Sequence, residues 1–479
     1  MNTIKRSNPC EFPVRIAQFG EGNFLRAFID WMIQKLNQKT DFKSSVQIIQ
    51  PLEKGMGDVI NQQDGVYTLI LRGMENGQVV EQTEVIESVK GCLNAYSDWQ
   101  DVMAFFRTPD LRFVFSNTTE AGIEYKPEEL TEGKTPTNFP AKVAVLMRER
   151  FNAGLPGLIF LPCELIDKNG IKLREAILQY AADWSFGSDF AQYIQNECIF
   201  CCTLVDRIVA GYPRNEAESI CQKLGYQDNL LDCGEPFHFF VIEGPESVAE
   251  ELPFEKAGLN VVFVKDQTPY RTRKVRFLNG AHTSSVLAAY LAGFDYVDEM
   301  VSDEVFSKYL KKILFEEIFV TVPLPENEKK QFAEAVLERF ANPFAMHQLI
   351  SISLNSVSKW KVRVLPSLMD YQKINGCLPR LLSYSLAALI AFYQNCGGTG
   401  CNRVNAYPVS DSPEIVKFFE ELWAEKSNDT AAIAEAVLKK SDFWDMDLCE
   451  IPGLAESVAN DLKQIKALGI RASLKGILG

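Results

Sequence analysis

Near residue 270 the spacing of the apolar residues changes, and that change restricts this 479-residue chain to a two-part fold. Before it, short strand-like apolar runs alternate with stretches of helical spacing, as in a parallel sheet with crossover helices. After it, helical spacing dominates over 275–292, 301–318, 326–340, 344–360, 378–394, 412–425, 429–439 and 454–468, and strand-like runs nearly vanish. The length also exceeds what one hydrophobic core serves. The expectation is an α/β domain over 1–270 and a mostly α-helical domain over 271–479.

The first half opens on a short apolar run, Val14 to Phe19, followed by Gly20-Glu21-Gly22 and then by helical spacing from Phe24 to Leu36. Strand, glycine turn and helix is what a dinucleotide pyrophosphate needs: bare backbone that can approach the phosphates, with helix amides aimed at them. The half is therefore read as Rossmann-like, with Phe19, Gly20, Glu21, Gly22, Asn23 and Phe24 as cofactor contacts. Leu25 stands where a third glycine would complete G-x-G-x-x-G, so the pattern alone leaves a plain strand-to-helix turn open. Val46 to Ile49 reads as the second strand; it ends in Gln50, with Glu53 beyond, and so lacks the acid that selects a free ribose. Val66 to Gly73 and Gln78 to Val89, joined by Asn76-Gly77, read as a β-hairpin inserted at a sheet edge. Leu111 to Ser116 reads as a buried strand with Asn117, Thr118 and Thr119 at its carboxyl end, where open α/β sheets bind ligands. These three residues are candidate contacts to the reactive end of the dinucleotide, or else an ordinary polar turn.

The stretch Arg271 to Gly293 carries Lys274, Asn279 and His282, three groups able to hold or move a proton, at what reads as a helix start. Asn279 and His282 are three apart and so share a helix face. A lone histidine on a small-residue helix is commonly a satisfied core residue, but histidine occurs only three times in this chain. The run Arg271, Arg273, Lys274, Arg276 is either a solvated basic face or an anion site in a chain of net charge −14.

That acidic balance argues against nucleic acid as a partner, whose binding rests on clustered Lys and Arg. The amino-terminal residues have no apolar core of signal type, and Leu378 to Tyr393 is interrupted by Pro379, Arg380, Ser383 and Ser385. A cytoplasmic protein with no membrane span follows as the expectation, with 378–394 a buried helix. The twelve cysteines read as reduced thiols packed as small hydrophobes. Cys198, Cys201 and Cys202 lack partners at zinc-site spacing, so no metal is expected; Cys396 to Cys401 reads as a surface turn.

K-x4-N-x2-H over 274–282 resembles the catalytic signature of the polyol-specific long-chain dehydrogenases, the mannitol dehydrogenase family. L-N-G-A-H-T resembles that family's branch acting on keto-hexuronates. F-G-E-G-N-F-L-R-A-F, Q-D-G-V-Y-T-L, F-S-N-T-T-E-A-G-I, P-C-E-L-I-D-K-N-G, L-V-D-R-I-V-A-G-Y-P-R and S-K-W-K-V-R-V-L-P agree with it in order along most of the chain. The resemblance implies NAD as cofactor and a small-molecule substrate, D-tagaturonate being reduced to D-altronate. Lys274 would be the general acid and base, and Asn279 and His282 would hold the carbonyl oxygen and the adjacent hydroxyl. Asp206, in V-D-R-I, is a substrate contact or half of a structural ion pair with Arg207. Lys359 and Arg363, with His347 expected earlier on the same helix, are carboxylate-binding candidates or a plain basic face. One departure is Leu165, where sugar-alcohol members carry Asn. Fructuronate reduction, a mannitol-type activity and a non-catalytic NAD-binding sensor are the competing readings.

Overall fold

The structure, a computed structural model, describes residues 1–8, 11–118, 120–394, 407–426 and 429–479, so the candidate Thr119 and the loop from Cys396 to Cys401 lie outside the described residues. The chain divides into two compact units, one of Met1–Arg72 with Val80–Gln267 and one of Gly73–Val79 with Thr268–Gly479.

The first unit carries β1 (Val14–Phe19), β2 (Ser45–Gln50), β3 (Tyr67–Glu75) and β4 (Gln78–Ile86) apart from their Gly73–Val79 ends, β5 (Val89–Asn94), β6 (Phe113–Ser116), β7 (Ile159–Pro162), β8 (Ile199–Phe200), β9 (Cys202–Asp206), β10 (Val209–Gly211), β11 (Asp232–Gly234), β12 (Phe239–Glu243) and β13 (Val261–Val264). Six of them form a parallel sheet in the order β5-β2-β1-β6-β7-β8. The order reverses between β1 and β6, so the crevice for a ligand opens where those two strands end, at Gly20 and Asn117. Successive side chains of these strands enter opposite cores. Ile16, Ile48, Phe113 and Phe115 pack with the helical run that follows β1, whereas Ala17, Phe19, Ile49 and Val114 pack with the Trp99–Phe106 and Phe139–Asn152 helices. Burial on both faces explains why these strands read as continuous apolar runs.

The hairpin forms with its turn at Asn76-Gly77, whose φ values of 52° and 74° are those of a type I′ turn. It does not border the parallel sheet as expected. Instead β3 pairs in parallel with β11 in a separate four-stranded sheet, β10-β11-β3-β4, because its inward side chains Tyr67, Leu69 and Leu71 are needed for the core. A third sheet, β13-β12-β9, completes the unit; β5, β8, β10, β11 and β13 were not anticipated, β8, β10 and β11 being only two or three residues long.

The second unit is helical. Its first helix starts at Thr268, with Pro269 in its first turn, not at Lys274, and runs through Lys274–Gly280 as a π-helical segment into Ala281–Leu291. The expected helix 301–318 is divided at Asp303, whose carboxylate caps a new helix by accepting from Val305 N (3.1 Å) and Phe306 N (3.2 Å). The expected helix 344–360 is likewise two, Leu349–Ile352 and Ser356–Arg363, because Asn355 between them is left-handed with φ 55°. Helices Leu365–Asn375 and Ile470–Leu478 are additions. Arg380–Tyr393 is buried at every residue after Arg380, and its first amides are capped by Glu317, which accepts from Leu381 N and Leu382 N at 2.7 Å each. Among the described residues no helix is long and apolar enough to cross a membrane.

Candidate active site

In the first unit the glycine turn has the form a pyrophosphate requires. Gly20 has φ 117°, and a Cβ there would meet Asn117 O at 3.0 Å, so only glycine lets the β1 and β6 ends lie together. Gly22 is extended and exposed, and a Cβ on it would meet nothing within 4 Å: the backbone here faces open space. Asn23 begins the helical run, its side-chain oxygen bound by Arg26 Nη2 at 2.5 Å. Phe19 turns its ring into the core against Phe106 and Phe139, and Phe24 stacks on Phe28 at 5.1 Å. Glu21 is half-buried, and burial raises its carboxyl above the usual range. At the end of β2 the Gln50 side chain is committed to its own loop, accepting from Gly57 N at 2.8 Å and donating to Leu52 O at 2.8 Å. These residues fit a dinucleotide laid across Gly22.

The polar turn after β6 is ordered by a residue whose role the sequence did not reveal. Glu164 is 2% exposed and accepts from Thr118 N (3.0 Å), Thr118 Oγ1 (3.0 Å) and Ser116 Oγ (3.1 Å), while burial holds its carboxyl above the usual range. Its neighbour Leu165 is 62% exposed. Asn169 of the same motif is a staple: its amide donates to Pro162 O, Glu164 O and Thr203 O, and its oxygen accepts from Thr203 N at 2.9 Å. Asp206 is buried at the end of β9 opposite Phe239. Arg207 beside it binds Ala27 O, Pro236 O and Phe237 O and lies 4.1 Å over the Trp31 ring, so it holds the fold of this unit.

In the second unit the π-helical segment sets the relation of Lys274 to Asn279. In an α-helix residues five apart stand about 140° round the axis from each other. A turn closed by a five-residue bond brings them toward one face. Both are half-buried. His282 follows one turn on. Gly280 between them is needed because a Cβ there would lie 3.0 Å from Arg363 O, so the Ser356–Arg363 helix ends directly against this segment. Of the basic run, Arg273 is buried between the rings of Phe332 (4.2 Å) and Tyr270 (5.3 Å), and Arg276 pairs with Asp370 at 2.6 Å. It is not a solvated face.

His282 is 8% exposed. Its ring lies on Phe340 with centroids 3.9 Å apart and planes 4° from parallel, and His347 meets it edge-on at 5.5 Å. Its Nε2 is buried without a hydrogen-bond partner among the described residues. Burial, and then the nearby His347, Arg339, Arg363 and Lys359, hold this imidazole well below the usual histidine range, hence neutral. Burial lowers His347, Lys359 and Arg363 too, and Lys359 is lowered further by Arg363 and raised in part by Asp411. Lys359 Nζ donates to Ile352 O at 2.9 Å, and among the described residues no carboxylate lies within ion-pair distance of Lys359 or Arg363. Cations around a neutral histidine with an unmet polar atom form an arrangement chemically able to receive an anion that also bears hydroxyl groups.

His282 and His347 are in ring contact, and Lys359 and Arg363 lie near enough to act on His282 electrostatically, although His347 is not on the helix of the other two but in the loop before Leu349. Phe340 and Arg339, at the end of the Glu326–Phe340 helix, complete it and were not foreseen, since neither stands in a motif. Among the described residues no three His, Cys, Asp or Glu side chains are grouped to hold a metal ion.

Comparison with known proteins agrees with this two-unit organisation. Residues 14–256 match the profile of the mannitol dehydrogenase Rossmann domain, and residues 266–466 that of the mannitol dehydrogenase C-terminal domain. Altronate oxidoreductase of Pectobacterium atrosepticum is 44% identical over 486 residues, covering 99% of this chain and 100% of its own. The enzyme of the same name from Escherichia coli is 43% identical over 485 residues, covering 99% of each chain. Among solved structures, Pseudomonas fluorescens mannitol 2-dehydrogenase in ternary complex with NAD and D-mannitol superposes with TM-score 0.71 at 20% identity, over 99% of this chain and 96% of that one. A substrate-free D-sorbitol dehydrogenase superposes with TM-score 0.82 at 22% identity, over 99% and 97%. With both domain profiles matched and relatives alike from end to end, the chain is an NAD-dependent dehydrogenase of the mannitol dehydrogenase family.

Proposed function

We propose that this enzyme interconverts D-tagaturonate and D-altronate. The observation that carries the reading is the cluster of Lys359, Arg363 and His347 around a neutral His282 whose Nε2 has no hydrogen-bond partner among the described residues. An uncharged ketose would leave Lys359 and Arg363 without a carboxylate at ion-pair distance, whereas a hexuronate supplies one, with hydroxyls for His282. The relatives' name, altronate oxidoreductase, agrees with a sugar acid.

Gly20 to Asn23, together with Asn117, Thr118 and Thr119, would hold NADH, which when bound would supply the hydride for the reduction. The residues of the chain then have four tasks. Lys274 gives its Nζ proton to the oxygen that was the carbonyl and takes it back in the reverse direction. The Asn279 amide and His282 Nε2 hold that oxygen and the neighbouring hydroxyl, stabilising charge as it develops. Lys359 and Arg363 fix the carboxylate, Arg363 by its planar fork, with His347 at their side. Asp206 is assigned a supporting contact to the substrate.

The test is loss of NADH absorbance with D-tagaturonate, D-fructuronate, D-fructose and other ketoses offered in parallel. Turnover should be strongest with D-tagaturonate. Preference for an uncharged ketose would reject the carboxylate site, and NADH binding without turnover of any of them would make the protein a sensor.

A further inference from the structure

Beneath the glycine turn lies a fully buried polar group that the reaction does not use. Arg26, Gln18, Asp30 and Asp232 are all 0% exposed. Arg26 sits in the π-helical segment Arg26–Asp30, one helical turn into the run that begins at Asn23. Its Nε donates to Glu21 O at 3.2 Å, its Nη2 to Asn23 Oδ1 at 2.5 Å and its Nη1 to Leu230 O at 2.6 Å. Asp232 on β11 is the nearest carboxyl, 3.7 Å from Nη2 and pushed up to about 7 by burial, and the Tyr67 ring lies 5.1 Å from the guanidinium. Gln18 does the same one residue earlier in the turn, its Nε2 donating to Gly20 O at 3.3 Å and to Asp30 Oδ2 at 3.4 Å. Burying a guanidinium is costly unless its donors are used, and here two of its three hydrogen bonds are spent on the glycine turn.

The direction of these bonds gives them meaning. A turn that binds phosphate must present N–H groups and keep carbonyl oxygens away, because a carbonyl dipole facing the anion repels it. Gly20 O, Glu21 O and Asn23 Oδ1 are three acceptors of this turn, each tied inward by a donor from below, and Gly22 O accepts from Arg26 N at 3.4 Å. With the acceptors fixed inward, the bare backbone at Gly22 is left facing open space.

We propose that Arg26, with Gln18, is a positioning residue for the cofactor: it turns the acceptor groups of Gly20 to Asn23 away from the pyrophosphate and holds the amides out, without touching NAD. The arginine fork is essential to this, since an ammonium in its place keeps the charge opposite Asp232 but reaches only part of the set Glu21 O, Asn23 Oδ1 and Leu230 O. The inference rests on NAD binding at this turn.

Arg26→Lys tests it by NADH fluorescence titration, which needs no substrate, and by kinetics with D-tagaturonate. The NADH dissociation constant should rise about 10- to 100-fold, the equivalent of one charged hydrogen bond. At saturating NADH, kcat and the KM for the keto acid should stay as they were. An unchanged NADH dissociation constant in the folded variant would overturn the proposal. So would an equal fall in kcat, both affinities and the thermal midpoint, which is how an arginine serving the fold alone behaves. Should Arg26→Lys fail to fold, Gln18→Met, which removes only the tie on Gly20 and the contact to Asp30, carries the same test: weaker NADH binding at unaltered kcat supports the proposal and unaltered binding overturns it. Failure of the unaltered enzyme to bind NADH would instead reject the cofactor site itself.

Discussion

The imidazole of His282 lies flat on the ring of Phe340, centroids 3.9 Å apart and planes 4° from parallel. A ring seated on a flat apolar surface keeps its plane while its edge stays available, and that edge carries the Nε2 that has no partner among the described residues. Phe340 is therefore the support of the proposed substrate-holding histidine. Aromatic pairs contribute about 0.5–1.5 kcal/mol beyond area burial. Phe340→Leu should accordingly lower kcat/KM for the keto acid by about 2- to 10-fold. NADH affinity should be unaltered, and a parallel loss of it would mean that the substitution acts through general destabilisation.

Neutrality of His282 has a pH consequence. Its folded pKa is held well below the usual ~6.5 by burial first and then by His347, Arg339, Arg363 and Lys359. The unfolded chain binds a proton near ~6.5 and the folded site does not, so this group's contribution to stability is present above ~6.5 and declines as pH falls below it. The thermal-midpoint difference between the enzyme and His282→Gln should shrink in that acid window. In NMR the His282 ring should show no titration near ~6.5; a full protonation step there would contradict the assignment.

Gly20 and Gly22 should respond oppositely to substitution. At Gly22 a side chain extends into open space, so Gly22→Leu should fold normally and lose NADH affinity, the leucine taking the space of the phosphates. At Gly20 the positive φ and the 3.0 Å approach to Asn117 O strain any side chain, so Gly20→Ala should lower the thermal midpoint as well. NADH titration and calorimetry of the two variants separate the effects, and full NADH affinity in Gly22→Leu would move the cofactor away from this turn.

Arg363 provides a check on substrate charge. Arg363→Met should raise the KM for a hexuronate by about 10- to 100-fold, the worth of a charged hydrogen bond, while leaving any slow turnover of an uncharged ketose unaltered. Equal effects on both substrates would show that Arg363 serves the fold.

What could be read before folding depended on how local the signal was. β1, Gly20 and Gly22 were legible because a strand, a glycine turn and a helix are neighbours in sequence. The hairpin was legible from Asn76-Gly77, yet its sheet was not, because β3 pairs with β11, which lies more than 150 residues later. His282, Lys359 and Arg363 could be named from motifs, but Phe340 and Arg339 meet them only through tertiary packing and carry no pattern. The π-helical turn at Lys274–Gly280 was missed because apolar spacing does not distinguish it from an α-helix, and it changes which residues share a face. The break at Asn355 was missed for a similar reason, a single left-handed residue inside an otherwise helical pattern.

Turnover of D-tagaturonate by Lys274→Ala, with NADH binding measured on the same preparation, bears most directly on the central claim. Proton transfer by a positioned group contributes about 10²–10⁴-fold in rate, so kcat should fall by that order while the NADH dissociation constant stays as it was. Added primary amine should restore part of the rate, the missing part being a proton carrier. Near-normal turnover without Lys274 would contradict the account, leaving the lysine as one member of a basic run and the proton donor to be found elsewhere.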